Sequence, residues 1–120
     1  MLTRSGGQPD PPVIVVMSSG EREVERQVLA GIEEEGVPYT VFSGDDAVSA
    51  SELARCAALR SPLQVGVGVA AAGEVSVRHA KLVDPLPELS SGAASDPVTA
   101  RILGHNAARI VVGLPLKPDN

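Results

Sequence analysis

Glu33, Glu34 and Glu35 stand together ahead of Gly36-Val37-Pro38-Tyr39, and this acidic triplet is the cluster whose residue type and spacing most directly suggest chemistry. It falls at the end of a predicted helix, where unsatisfied carbonyls and the helix dipole disfavour negative charge by roughly 0.3 kcal/mol or more per carboxylate. A metal ion or a basic partner would remove that penalty, and carboxylate oxygens suit a hard divalent cation. The other reading is a solvated helix end stopped by Gly36, with water screening the charge.

The remaining reactive residue types are sparse. His79 and His105 are the two imidazoles, and neither sits in an HxxxH, HExxH or Cys/His spacing of the kind zinc requires, so both are expected at the surface or at caps. Cys56 is alone, so no intramolecular disulfide can form, which fits a reducing compartment. No Gly-x-Ser-x-Gly elbow is present to expose a nucleophilic serine. A dinucleotide fingerprint is also absent, because the first strand-to-helix turn is Ser18-Ser19-Gly20 and Gly66-Val67-Gly68 falls inside a strand. The Ser18-Ser19-Gly20 turn could hold an anion on free helix amides, although Glu21 and Glu23 oppose it. Gly104, inside a helix, signals a close packing contact rather than catalysis, and Asn106 and Arg109 beside it could bond neighbouring loops.

The elements that must position these residues follow from periodicity. Val13-Ile14-Val15-Val16-Met17 reads as a strand buried on both faces. Glu21 to Glu35 carries Val24, Val28, Leu29 and Ile32 at helical spacing, and Tyr39 to Phe42 is a second strand. Asp45 or Asp46 can cap a second helix to about Leu59, whose Ala54, Ala57 and Ala58 allow close approach to a sheet. Gln64–Ala70 and Glu74–Arg78 form a hairpin across Ala72-Gly73. Lys81 to Ser95 reads as a long loop. Asp96-Pro97 starts a third helix running to about Arg109, Ile110 to Val112 reads as a last short strand, and Gly113 to Pro118 as an extended tail available for docking. The order implies a three-layer α/β sandwich around a mostly parallel five-stranded sheet with one antiparallel strand.

Composition bounds what such a domain can do. At 120 residues the chain has the length of one domain, here 13–120, after a tail over 1–12 expected to be disordered and without a targeting signal. Ten Lys and Arg against 15 Asp and Glu, a net charge of -5, argue against nucleic acid as a partner. The longest apolar run, Val13 to Met17, is far below the roughly 20 residues of a membrane helix.

Three blocks carry a resemblance: Val28-Leu29-Ala30-Gly31-Ile32-Glu33-Glu34-Glu35-Gly36-Val37-Pro38-Tyr39, Arg60-Ser61-Pro62-Leu63-Gln64-Val65-Gly66-Val67, and Gly104-His105-Asn106-Ala107-Ala108-Arg109-Ile110-Val111-Val112-Gly113-Leu114-Pro115-Leu116. Together they resemble the small subunit of diol and glycerol dehydratase reactivase. The resemblance implies a fold similar to a domain of the dehydratase medium subunit and no catalysis on this chain. It implies a large, actin-like ATPase subunit as partner, carrying the ATP or ADP. The adenosylcobalamin-dependent diol or glycerol dehydratase is then the second partner, whose damaged cobalamin is released by a chaperone-like swap of subunits. It further implies a magnesium ion at the interface with the large subunit, held by a carboxylate of the acidic helix end: Glu34 first, Glu33 and Glu35 behind it. The partner interface would comprise Glu33, Glu34, Glu35, Asn106 and Arg109. His105 departs from common relatives, where a second asparagine is usual. The expected location is the cytoplasm, with or without a bacterial microcompartment, and an isolated chain is expected to be able to pair with itself. The competing readings are a small α/β anion-binding domain and a protein like the dehydratase medium subunit.

Overall fold

Ile14–Ser18 is buried at every position and forms β1, the middle of the parallel part of the sheet. The computed structural model describes residues 11–118, so the expected tail over 1–12 lies outside it except for Pro11 and Pro12. After β1 come α1 (Arg22–Glu34), β2 (Tyr39–Ser43), α2 (Ala50–Arg60), β3 (Val65–Val69) and β4 (Glu74–His79). A 3-10 turn at Pro87–Leu89 leads into β5 (Ser90–Ala94), and α3 (Pro97–Val112) is the last element. The strand order is β2-β1-β3-β4-β5. β1 is parallel to β2 and β3, while β4 is antiparallel to both β3 and β5, so β4 is the single reversed strand.

Alternation along the strands sends side chains to two different covers. Ile14, Val16, Val65, Val67, Val69, Val75 and Val77 share one core with Val24, Val28 and Ile32 of α1 and Ala100, Leu103 and Ala107 of α3. Val15 and Met17 face the other way, against Leu53 and Ala57 of α2. The two helices on one face and one on the other make the three layers, and each wholly buried Val or Ile contributes about 1.5–3 kcal/mol by leaving water. The glycines of β3 set the α2 side. A Cβ on Gly66 would stand 2.2 Å from Ala58 N, and one on Gly68 2.2 Å from Ala50 O, so the helix backbone lies directly on the strand. The alanine face of α2 completes that approach, as its sequence pattern implied.

Several boundaries differ from the sequence reading. Asp45 caps a turn rather than α2, accepting from Ala47 N at 2.8 Å, and Ser49 is the N-cap, accepting from Glu52 N at 3.1 Å. The expected loop over 81–95 contains β5, which sequence patterning misses because Ser90-Ser91-Gly92-Ala93-Ala94 has neither β-branched residues nor alternation. Arg78, 5% exposed on β4, fixes the loop between β4 and β5 by donating from Nη2 to the carbonyls of Leu82 and Val83, at 3.1 and 3.3 Å. Ile110 to Val112 are not a strand: they form the last turn of α3, which ends at Gly113 in the left-handed conformation with φ 77°. Local β propensity there yields to packing, since Ile110 and Val111 rest against the main core.

Candidate functional site

α1 and α3 cross with almost no space between them. A Cβ on Gly31 would stand 2.2 Å from Arg101 O and 2.8 Å from His105 N, and one on Gly104 would stand 2.1 Å from Val28 O. The sequence reading of Gly104 as a close contact is correct, and Gly31 is its counterpart. Because the backbones touch here, side chains one turn further along α1 reach α3 directly. Those side chains are Glu34 and Glu35.

α3 answers the acidic end of α1 with three basic groups spaced four residues apart, Arg101, His105 and Arg109. Arg101 Nη2 lies 2.5 Å from Glu34 Oε2, and its Nε is 3.3 Å from Glu34 Oε1. The His105 ring is held between both acids, with Nε2 2.8 Å from Glu34 Oε1 and Nδ1 2.7 Å from Glu35 Oε2. A neutral imidazole can donate to one of these carboxylates and an imidazolium to both. Arg109 Nε completes the cluster 2.8 Å from Glu35 Oε2. The basic partner that the helix dipole calls for is therefore inside the chain. His105 is buried, at 9% exposure, which corrects the expectation of a surface or capping residue. The four-residue rhythm of Arg101, His105 and Arg109 is the sequence signal that could have found it.

The three carboxylates differ in what they offer a ligand. Glu35 is enclosed, its side chain 11% exposed, and Arg109 first, then His105, hold its pKa below the ordinary 4.5. Arg101 lowers Glu34 in the same direction, yet the Glu34 side chain is 46% exposed. Glu33 points away and accepts a bond from Tyr39 Oη at 3.2 Å; burial first, and this acid second, raise the tyrosine above its usual range. His79 sits at the end of β4, half-buried, and accepts from Lys81 N at 3.1 Å. No group of three or more His, Cys, Asp or Glu side chains able to hold a metal ion occurs among the described residues.

Asn106 and Arg109 serve the chain's own tail. Asn106 is 2% exposed; its Nδ2 donates to Lys117 O at 3.2 Å and its Oδ1 accepts from Lys117 N at 2.6 Å. Arg109 Nη1 donates to Pro115 O at 3.1 Å while its Nε serves Glu35. The tail expected to be free for docking is laid back along α3.

The lowered pKa of Glu35 has a measurable sign. A carboxyl more acidic when folded contributes stability that is present above its unfolded value and is lost as pH falls through the folded one. Urea midpoints should therefore decline as pH is lowered below about 4.5. Arg109→Gln should flatten that decline, leaving the part due to other carboxylates; an unchanged slope would remove this pair from the account.

The fold and this self-compensated helix end define a three-layer α/β module, and comparison supplies its class. Residues 10–117 match the family model described as the dehydratase medium subunit, and the chain belongs to that family. Within it, the chain groups with the small subunits of dehydratase-reactivating factors. It is 32% identical over 109 residues to the propanediol dehydratase-reactivating factor small subunit of Citrobacter freundii, covering 89% of this chain and 90% of the relative. It is 33% identical over 120 residues to the diol dehydratase-reactivating factor small subunit of Klebsiella michiganensis, covering 97% and 91%. Among solved structures, a glycerol dehydratase reactivase chain superposes with a TM-score of 0.82 at 32% identity, covering 92% of this chain and 100% of that one. A chain of the diol dehydratase-reactivating factor complexed with ADP and Mg2+ superposes at 0.77 with 31% identity, again covering 92% and 100%.

Proposed function

We propose that this protein is the non-catalytic small subunit of a cytoplasmic, ATP-dependent reactivase that frees adenosylcobalamin-dependent diol or glycerol dehydratase of damaged cobalamin. The large, actin-like subunit carries the nucleotide and the ATPase chemistry. This chain acts by exchange: it occupies the large subunit until a dehydratase subunit of the same shape takes its place. The observation that carries the reading is that one chain matches the dehydratase medium subunit model along nearly its whole length and also matches reactivating-factor small subunits. A shared fold is what an exchange of subunits requires.

Magnesium fits this helix end as a one-ligand site. Glu34 has an exposed carboxylate, Glu35 is enclosed by His105 and Arg109, and Glu33 faces Tyr39. Magnesium is commonly held through one or two carboxylates, with the rest of its shell from water or phosphate oxygens, so the large subunit and solvent complete it. The chain's own part is to present Glu34 from a rigid crossing, with Arg101 and His105 orienting the carboxylate.

Co-purification with the large subunit, with and without ADP and magnesium, tests this. The unsubstituted chain should form a magnesium-dependent complex, and Glu34→Gln should weaken it about tenfold or more. Arg101→Gln, which breaks the intrachain ion pair but keeps the carboxylate, should retain the magnesium dependence. If Glu34→Gln binds as tightly as the parent, Glu34 is not the ligand. If the parent never binds the large subunit, the reactivase reading fails. Exchange is read separately, as ATP-dependent release of cyanocobalamin from inactivated dehydratase.

A further inference from the structure

We infer that residues 113–118 form a strap whose closure depends on the acid–base contact between α1 and α3, with Arg109 as the shared joint. Gly113 reverses the chain at the end of α3, and Leu114 N donates to Arg109 O at 3.0 Å, which fixes the turn. Beyond it Pro115 and Pro118 have no N–H, so the strap cannot zip onto a ladder. It is held instead by two side chains of α3. Asn106 takes both backbone groups of Lys117, a single rung of strand-like pairing made by an amide, and Arg109 takes the carbonyl of Pro115.

Arg109 can hold Pro115 only in one orientation. A guanidinium is planar, so seating Nε on Glu35 at 2.8 Å fixes the direction in which Nη1 points. Removing the Glu35 charge frees the fork to rotate and takes away one of the strap's two anchors. The residues that bind the acids and those that bind the strap lie within about one turn of each other on α3: His105 for Glu35, Asn106 for Lys117, Arg109 for both. Whatever draws Glu35 off α3 therefore loosens the strap, and only the identity of that agent rests on the reactivase reading.

Amide hydrogen exchange on the isolated chain tests the joint without any partner. The Lys117 amide is protected by the Asn106 side chain, whereas the Leu114 amide is bonded to α3 itself, so the pair is an internal control. Asn106→Ala gives the exchange rate of the Lys117 amide without its acceptor. Glu35→Gln should speed Lys117 about tenfold towards that rate, the worth of one charge-assisted hydrogen bond, with Leu114 unchanged. Arg109→Lys should do the same, because an ammonium cannot serve Glu35 and Pro115 in the fixed geometry of a fork, and it reads the joint even if Glu35→Gln fails to fold. Lys117 exchange at the parent rate in a folded variant would overturn the inference. So would a rise shared equally by Leu114 and the amides of α3, which would mark fraying of the helix end rather than release of the strap.

Discussion

Gly104→Ala should unfold about 2 M earlier in urea than the parent chain, a loss of about 3 kcal/mol. The sign is what makes the measurement informative. In an exposed helix interior, replacing glycine with alanine gains about 1 kcal/mol, because glycine loses more backbone entropy on folding. Here the new methyl group would stand 2.1 Å from Val28 O and 3.0 Å from Val28 C, both backbone atoms that cannot rotate away. The helices must separate, and the Val24, Val28, Leu103 and Ala107 contacts loosen with them. Gly31→Ala meets Arg101 O at 2.2 Å and should act through the same separation. The two substitutions together should therefore cost less than their sum. Unchanged or increased stability in Gly104→Ala would mean that the helices do not cross where the structure places them.

Glu35→Ala should lower the melting temperature by about 8 °C, corresponding to about 2 kcal/mol for a domain of this size. The carboxylate serves two groups at once, His105 Nδ1 and Arg109 Nε, and it is enclosed. Its removal leaves the part-buried Arg109 guanidinium without an anion and His105 with Glu34 alone, which costs more than the net worth of the bonds themselves. Arg109→Ala in the same background should cost much less than it does alone, since the pair is already broken. A shift of under about 2 °C for Glu35→Ala would show the cluster to be solvated and energetically neutral, as exposed ion pairs commonly are.

Much of the fold was legible because its signals are local. The continuous apolar run of β1, the helical spacing of α1 and the Asp96-Pro97 start of α3 each lie within a few residues, and the structure agrees with each. The alternating Val and Gly of β3 announced both a strand and a close neighbour. Glu33 to Glu35 announced an unpaid electrostatic cost, and the resemblance of three blocks pointed to the family that the comparisons show. Where elements were misread, no local signal existed: β5 is held by pairing with β4 rather than by propensity, and the β-branched end of α3 remains helical because the core lies under it.

The chain by itself determined the order of its main elements, the glycines through which layers touch, and the presence of a negative helix end in need of a counter-charge. Tertiary structure alone decided who supplies that counter-charge. Arg101 and His105 lie 67 and 70 residues from the acids they meet, and Arg109 lies 74. Only the backbone contact at Gly31 and Gly104 brings them into hydrogen-bond range. The same crossing turns Asn106 and Arg109 towards the tail, so a segment that reads as free in the sequence is bound in the fold. Local interactions choose elements, but partners for charge are chosen by which surfaces pack, and that choice belongs to the whole chain.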